Sequence, residues 1–144
     1  MRQAESAADA LGVLPAVARD AGGLAAAFAA LAGRADAAYV CAAPLVNTNR
    51  ALVGASALAA GLPSVHGFRE AVEAGSLMSY GPNFPALFRR AADFVDRILR
   101  GARPGEIPVE QPTQFDLAVN LAAARSLGVA VPPSVLARAD EVIE

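Results

Sequence analysis

Tryptophan and lysine are missing from the 144 residues, and cysteine and histidine occur once each. A lone cysteine forms no internal disulfide, so no disulfide framework supports the fold. One histidine and one cysteine leave no multi-His or multi-Cys metal site, and no His-Glu-x-x-His helix is present. Gly-Lys-Ser/Thr phosphate loops and Gly-x-Gly-x-x-Gly fingerprints are also missing. The serine run Gly54-Ala55-Ser56-Ala57-Leu58 lacks the second glycine of a nucleophile elbow and falls inside a helical pattern. No catalytic constellation emerges, no cofactor is implied, and a non-enzymatic protein is expected. The 12 basic residues, all arginine, are spread along the sequence, and the net charge is −2. Without a basic stripe to neutralise a row of phosphates, nucleic acid is not an expected partner.

Long apolar runs are scarce too. The longest uncharged stretch, Ala51 to Phe68, is interrupted by Gly54, Gly61, Pro63 and Gly67, and it falls short of the ~20 unbroken residues of a membrane helix. Met1-Arg2-Gln3-Ala4-Glu5-Ser6 has no basic-then-apolar export pattern. What is abundant is alanine, within a hydrophobic fraction of 55%. Small residues, scattered Leu and Val and six Phe suit helices packed closely on a sheet, and the length suits one domain with its own core.

Helical and strand-like segments alternate, which predicts an α/β fold with a parallel sheet flanked by helices on both faces. Glu5 to Leu11 reads as the end of a helix stopped by Gly12, followed by a strand over Val13 to Ala18. Gly23 to Leu31 has helical spacing, and Ala37 to Ala42 reads as a buried strand with Cys41 an inert core thiol. Asn47-Thr48-Asn49 offers N-cap side chains for a helix running to about Ala60. Pro63 opens a short strand to His66, Arg69 to Ala74 makes one helical turn, and Ser76 to Tyr80 is a strand. Gly81-Pro82-Asn83 reads as a turn, with Asn83 capping the next helix. That helix, Phe84 to Arg100, gathers Leu87, Phe88, Ala91, Phe94, Val95, Ile98 and Leu99 on one face. Arg89/Asp93, Asp93/Arg97 and Asp96/Arg100 are spaced for ion pairs on the other. Ala102 to Thr113 is extended, Phe115 to Val119 a strand, Ala122 to Leu127 a helix, and Pro132-Pro133 starts a last helix through Ile143.

Ligands of open parallel sheets bind beyond the carboxyl ends of the strands. Pro44 to Arg50, Gly67 to Glu70 and Tyr80 to Asn83 fall there. Asn47, Thr48 and Asn49 either bind an anionic group at a helix start or simply cap the helix, and both readings stand. Phe68 and Tyr80 either stack on a solute or join the core, and Tyr80 fits the cleft better. Arg69 either meets a ligand acid or pairs with Glu73, the surface pairing being the plainer reading. His66 reads as a partly buried histidine bonded to the backbone, and Glu70 and Glu73 as solvated charges.

Several stretches carry a resemblance: Gly67-Phe68-Arg69-Glu70-x-Val72-Glu73-Ala74-Gly75-x-Leu77-Met78-Ser79-Tyr80-Gly81-Pro82-Asn83, then Arg89-Arg90-Ala91-Ala92-x-Phe94-Val95-Asp96-x-Ile98-Leu99-x-Gly101-Ala102-x-Pro104, Ile107-Pro108-Val109-Glu110-Gln111-Pro112-Thr113, and the closing Pro132 to Ile143. They resemble the C-terminal half of the ABC-transporter substrate-binding family, of type I periplasmic-binding-protein fold, which includes receptors for aromatic amino acids. The resemblance implies two lobes enclosing a small-molecule solute, with ABC permease subunits as partners and a periplasmic or lipid-anchored setting. Residues 1–83 would be the cleft-forming second-lobe half and 84–144 the segment returning to the first lobe. It also implies that Pro44 to Arg50 and Gly67 to Arg69 line the cleft and that Tyr80 to Asn83 lie near the hinge, with Asn47, Thr48, Asn49, Phe68, Arg69, Tyr80 and Asn83 as ligand-contacting candidates. Relatives often read Asp-Pro-Leu where this chain has Ala43-Pro44-Leu45, and aromatic-amino-acid receptors carry an acidic residue near the equivalent of Val46, which argues against an amino-acid ligand here. Relatives also carry an export signal or lipid anchor and a first lobe, so a gene fragment or natural half-receptor with weak solute binding is expected. Apolar faces from Phe84, Phe88, Phe94 and Phe115 predict a homodimer. A dimerisation or regulatory domain derived from such a receptor is the competing reading.

Overall fold

The computed structural model describes residues 12–144. The helix expected over Glu5 to Leu11 lies outside the described residues. Among the described residues thirteen elements follow one another. They are α1 (Ala21–Leu31), β1 (Ala38–Val40), α2 (Pro44–Thr48), α3 (Arg50–Ala59), β2 (Ser64–His66), α4 (Arg69–Glu73), β3 (Met78–Pro82), α5 (Phe84–Leu99), a 3-10 turn (Pro104–Glu106), β4 (Phe115–Asn120), α6 (Leu121–Leu127), α7 (Pro133–Leu136) and β5 (Glu141–Ile143).

The five strands lie side by side in sequence order. β1–β2, β2–β3 and β4–β5 pair in parallel, whereas β3 and β4 run antiparallel from Met78↔Val119 to Pro82↔Phe115. The sheet is thus largely parallel, as the alternating pattern implies, and the antiparallel pair knits residues 84–144 onto the rest.

Strand alternation assigns the two faces. Ser64, His66, Ser79, Ala118 and Asn120 are buried on one. Ala38 and Val40 share it and pack with Leu24 and Phe28 of α1 and Val53 and Ala57 of α3. Ala123 and Ala124 of α6 join Leu77 in a second cluster reached by Leu58 of α3. Alanine makes these approaches close. At Gly54 of α3 an added Cβ would lie 3.2 Å from the Ala74 carbonyl oxygen. The opposite face carries Tyr39, Tyr80, Phe115 and Val142, all exposed, with Tyr80 and Phe115 stacked at 5.7 Å.

Several local expectations are corrected. Val13 to Ala18 joins no strand, because Pro15 has no N–H for a ladder. β1 ends at Val40 as the chain turns toward Pro44, leaving Cys41 exposed rather than in the core. Proline, preorganised for the first helical position, starts α2 at Pro44. This short helix precedes the expected one, which runs Arg50–Ala59 with Asn49 at its N-cap position; the Asn49 side chain makes no cap bond there, its Nδ2 instead donating back to the Leu45 carbonyl at 2.8 Å. Gly81 and Pro82 extend β3 instead of turning, because β4 supplies partners as far as Phe115. The last helix stops at Leu136, and Glu141–Ile143 adds a strand beside β4, entered through the Asp140 N–H to the Leu117 carbonyl at 2.8 Å. On α5, Asp96/Arg100 forms at 2.8 Å, but Arg90 rather than Arg89 takes Asp93, because Arg90 also reaches Glu110 across the fold. No residue of α5 is buried, and its apolar stripe is open at Phe88, Val95 and Leu99.

Asn120 joins three elements. Its Oδ1 accepts from the Ala123 N–H at 2.8 Å, capping α6, and its Nδ2 donates to the Val72 carbonyl of α4 at 3.1 Å. Asn120→Ala removes a cap and strands a buried carbonyl, so a loss of about 2–3 kcal/mol is expected. A urea-unfolding midpoint unchanged by this substitution would remove Asn120 from that role.

Candidate functional site

Beyond the carboxyl ends of β1 and β2 lies an open cavity of about 330 Å³. Val40 and Ala42 from the end of β1, and Val46, Asn47 and Arg50 from α2 and the start of α3, form one side. His66, Gly67 and Phe68 from the end of β2, with Glu70 and Ala71 of α4, form the other. Phe84 and Phe88 of α5 close the third side, and the Phe84 ring stacks on Phe68 at 5.0 Å and 21°. The walls are largely apolar, with few polar groups converging, a composition suited to holding a small organic molecule.

His66 is 3% exposed, and its Nε2 lies 3.3 Å from the buried Ser64 hydroxyl. A side-chain partner on the same strand therefore replaces the expected backbone one. Burial disfavours the charged imidazolium and pushes its pKa down to about 4. Arg50 and Glu70 are exposed and make no ion pair among the described residues; an Arg50 Nη1 donates to the Asn47 carbonyl at 3.2 Å. Arg69 is committed elsewhere. It grips Glu141 of β5 through two hydrogen bonds, 2.7 and 2.6 Å, and Glu73 at 3.1 Å. The Glu141 bonds raise the Arg69 pKa further, and that guanidinium in turn lowers the pKa of Glu141.

The backbones of Gly67 and Gly81 pass so closely that a Cβ on Gly81 would fall 2.0 Å from the Gly67 carbonyl oxygen. No side chain fits there. The segment that carries Phe68 into α4 is thereby held against β3.

Of the seven ligand-contacting candidates, Asn47 and Phe68 line the cavity. Thr48 and Asn49 lie on α2 and its junction with α3, off the lining. Arg69 borders a small neighbouring hollow with Gly81 and Pro82. Asn83 caps α5, accepting from the Ala86 N–H at 2.8 Å and donating to Asp116 at 2.8 Å. Tyr80 lies on the open sheet face against Phe115. The sequence reads His66 and Glu70 as structural or solvated side chains, and Phe84 and Phe88 as part of an exposed apolar face for a homodimer. The signal for the two phenylalanines was their place just after the third strand end, one step past the segment that was singled out. A second cavity of about 350 Å³, lined by α1, β1 and Cys41, shares Val40 and Val46 with the first.

A family model described as ABC transporter substrate binding protein matches residues 2–143. The chain belongs to the ABC transporter substrate-binding protein family. No curated protein matches it. Among solved structures, this family member is similar to a conserved domain protein from Vibrio cholerae O1 biovar eltor str. N16961. Identity is 28% and the TM-score 0.86, over 99% of this chain and 49% of that one. An ABC domain in complex with L-Trp from Streptococcus pneumonia is 24% identical with a TM-score of 0.77, over 86% of this chain and 42% of that one. A ligand-free, open substrate-binding protein with adhesive properties from Clostridium difficile is 23% identical with a TM-score of 0.66, over 88% and 42%. The last two likenesses show the fold alone. The chain spans about half the length of these structures, 49%, 42% and 42%.

Two outcomes are expected for this cavity and the strands beside it. Gly81→Ala forces backbone apart and should cost about 1–3 kcal/mol while shifting amide NMR resonances of residues 67–70; unshifted resonances there would separate Gly81 from the loop. Because the folded His66 pKa lies below the ordinary value, folding favours the neutral ring. Its contribution is complete above about pH 6.5 and is lost as pH falls toward about 4. Roughly 2 kcal/mol should disappear between pH 7.5 and 5, above the range where carboxylates dominate, and His66→Asn should flatten that slope. A wild-type unfolding free energy that is level over this window would contradict the burial argument.

Proposed function

We propose that this chain is the solute-binding part of a receptor serving an ABC-type importer, holding a small organic solute at the carboxyl ends of β1 and β2. The carrying observation is the make-up of the cavity there: apolar walls, a buried polar histidine, and two exposed charges of opposite sign outside any ion pair among the described residues. Asn47 and Phe68 contact the solute in this reading, with Phe84 and Phe88 beside them. Phenylalanine rings favour a solute with a flat apolar body, and the L-Trp held by the Streptococcus domain supports the same choice. Residues 1–83 act as the cleft-forming half and 84–144 as the segment that returns toward a first lobe. Permease subunits are the partners of the whole receptor, which works in the periplasm or on a lipid anchor outside the cytoplasmic membrane. Binding without catalysis is its role.

One observation favours a second reading. Phe88 and Leu99 of α5 are 74% and 81% exposed, and Phe115 adds to the open apolar surface. Burying that helix against a second copy makes the chain a dimerisation unit.

Titration with L-tryptophan and simple aromatic carboxylates, followed by amide NMR, tests both readings. Saturable shifts are expected in residues 46–50 and 66–71, with affinities weaker than micromolar, because the cavity is open on one side and leaves part of the solute in water. Absence of any saturable shift in those residues sinks the solute-binding reading. A monomer mass independent of concentration in sedimentation sinks the dimer.

A further inference from the structure

The side chains around the cavity are sorted by depth. His66, 3% exposed, is the deepest polar one, whereas Asn47, Arg50 and Glu70 stand exposed at the mouth. Nε2 of His66 is engaged by the Ser64 hydroxyl at 3.3 Å. Nδ1 has no hydrogen-bond partner among the described residues. It is not sealed off either, since Ser76 Oγ is the side-chain polar atom that is both sealed and unpartnered among those residues. One imidazole nitrogen is therefore neither partnered nor sealed among the described residues, on a side chain that lines the cavity.

Resting on the solute-binding reading, we propose that His66 is the specificity-determining polar contact of this cavity, selecting an apolar solute whose leading end carries one neutral hydrogen-bonding group. Any charge on the solute stays at the trailing end, between Arg50 and Glu70. The polarity of the floor decides this. Val40, Val46 and Ala71 line the same cavity with hydrocarbon. A carboxylate or ammonium pushed in there loses its water and meets no opposite charge, which is far costlier than leaving it at the mouth. A hydrocarbon end is also disfavoured, because it leaves the open nitrogen without water or partner. A hydroxyl, ring N–H or amide end satisfies that nitrogen at no charge cost. The lowered pKa of the ring agrees, since it reports a site that supports charge poorly.

The chain holds a single histidine, so its ring nitrogens give unambiguous signals in the full protein. Phenol and toluene, nearly the same in shape, serve as probes, with binding followed by amide shifts and the ring by 15N NMR. Phenol is expected to move the Nδ1 resonance and toluene to leave it in place. In His66→Leu the ratio of phenol to toluene affinity should fall about three- to tenfold, the range of one neutral hydrogen bond. His66→Asn, which keeps a polar atom near the Nδ1 position, should hold the ratio within about twofold. A purely structural histidine would weaken both probes alike and leave the ratio unchanged, and that result overturns the proposal. So does an Nδ1 signal unmoved by bound phenol, a readout that does not depend on either variant folding. In both cases the cavity still binds its probes and the solute-binding reading stands. If neither probe shifts residues 46–50 or 66–71, the proposal and that reading fall together.

Discussion

The contact between the backbones of Gly67 and Gly81 is the constraint from which the site follows. A carbonyl oxygen occupies the volume where a side chain would begin, so β3 and the segment leaving β2 have one relative position. That position decides where Phe68 emerges, and the Phe68 ring in turn receives Phe84 from the first turn of α5. The segments leaving β2 and β3 are thus brought to one hollow by a place where nothing larger than hydrogen fits. The antiparallel pairing of β3 with β4 then fixes where the second half of the chain attaches.

Charge is divided between holding and waiting. Arg69, beside the cavity in sequence, spends both edges of its guanidinium on Glu141 and also touches Glu73. It fastens the last strand to α4, and bidentate geometry suits that fastening. Arg90 does the same for the extended segment at Glu110, whose carboxyl pKa is lowered by the arginine's hydrogen bonds. Arg50 and Glu70 lack such partners among the described residues and stand at the mouth of the hollow. Position along the chain says little about which arginine holds structure together, because the partners of Arg69 and Arg90 lie 72 and 20 residues away.

The α/β class, the order of elements from α1 to α6 apart from the short α2, and the capping role of Asn83 were legible in the sequence, since each rests on local periodicity, glycine stops or turn chemistry. α5 was legible to within one residue, because its apolar stripe repeats over four turns. The short strand Glu141–Ile143 was not. Three residues carry no period, and only the open edge of β4 makes them a strand. Pro44 starts a short helix of its own ahead of the one that follows Asn49, so two start signals close together give two helices. At the cavity, the loops of β1 and β2 were foreseeable from the rule about strand ends. The inward use of His66 was not, because its depth comes from helices packed over the sheet and not from its neighbours in sequence. Tyr80 shows the converse: strand parity, which depends on register with β4, turned it to the face away from His66 and Ser79.

Val40 and Val46 stand between two hollows and present a surface to each. Trimming either to alanine would thin what divides a chamber with a polar end from one that is almost wholly greasy. The length of molecule admitted at this end of the sheet is governed by a few methyl groups, so a shift toward longer guests needs no rebuilding of strands or loops.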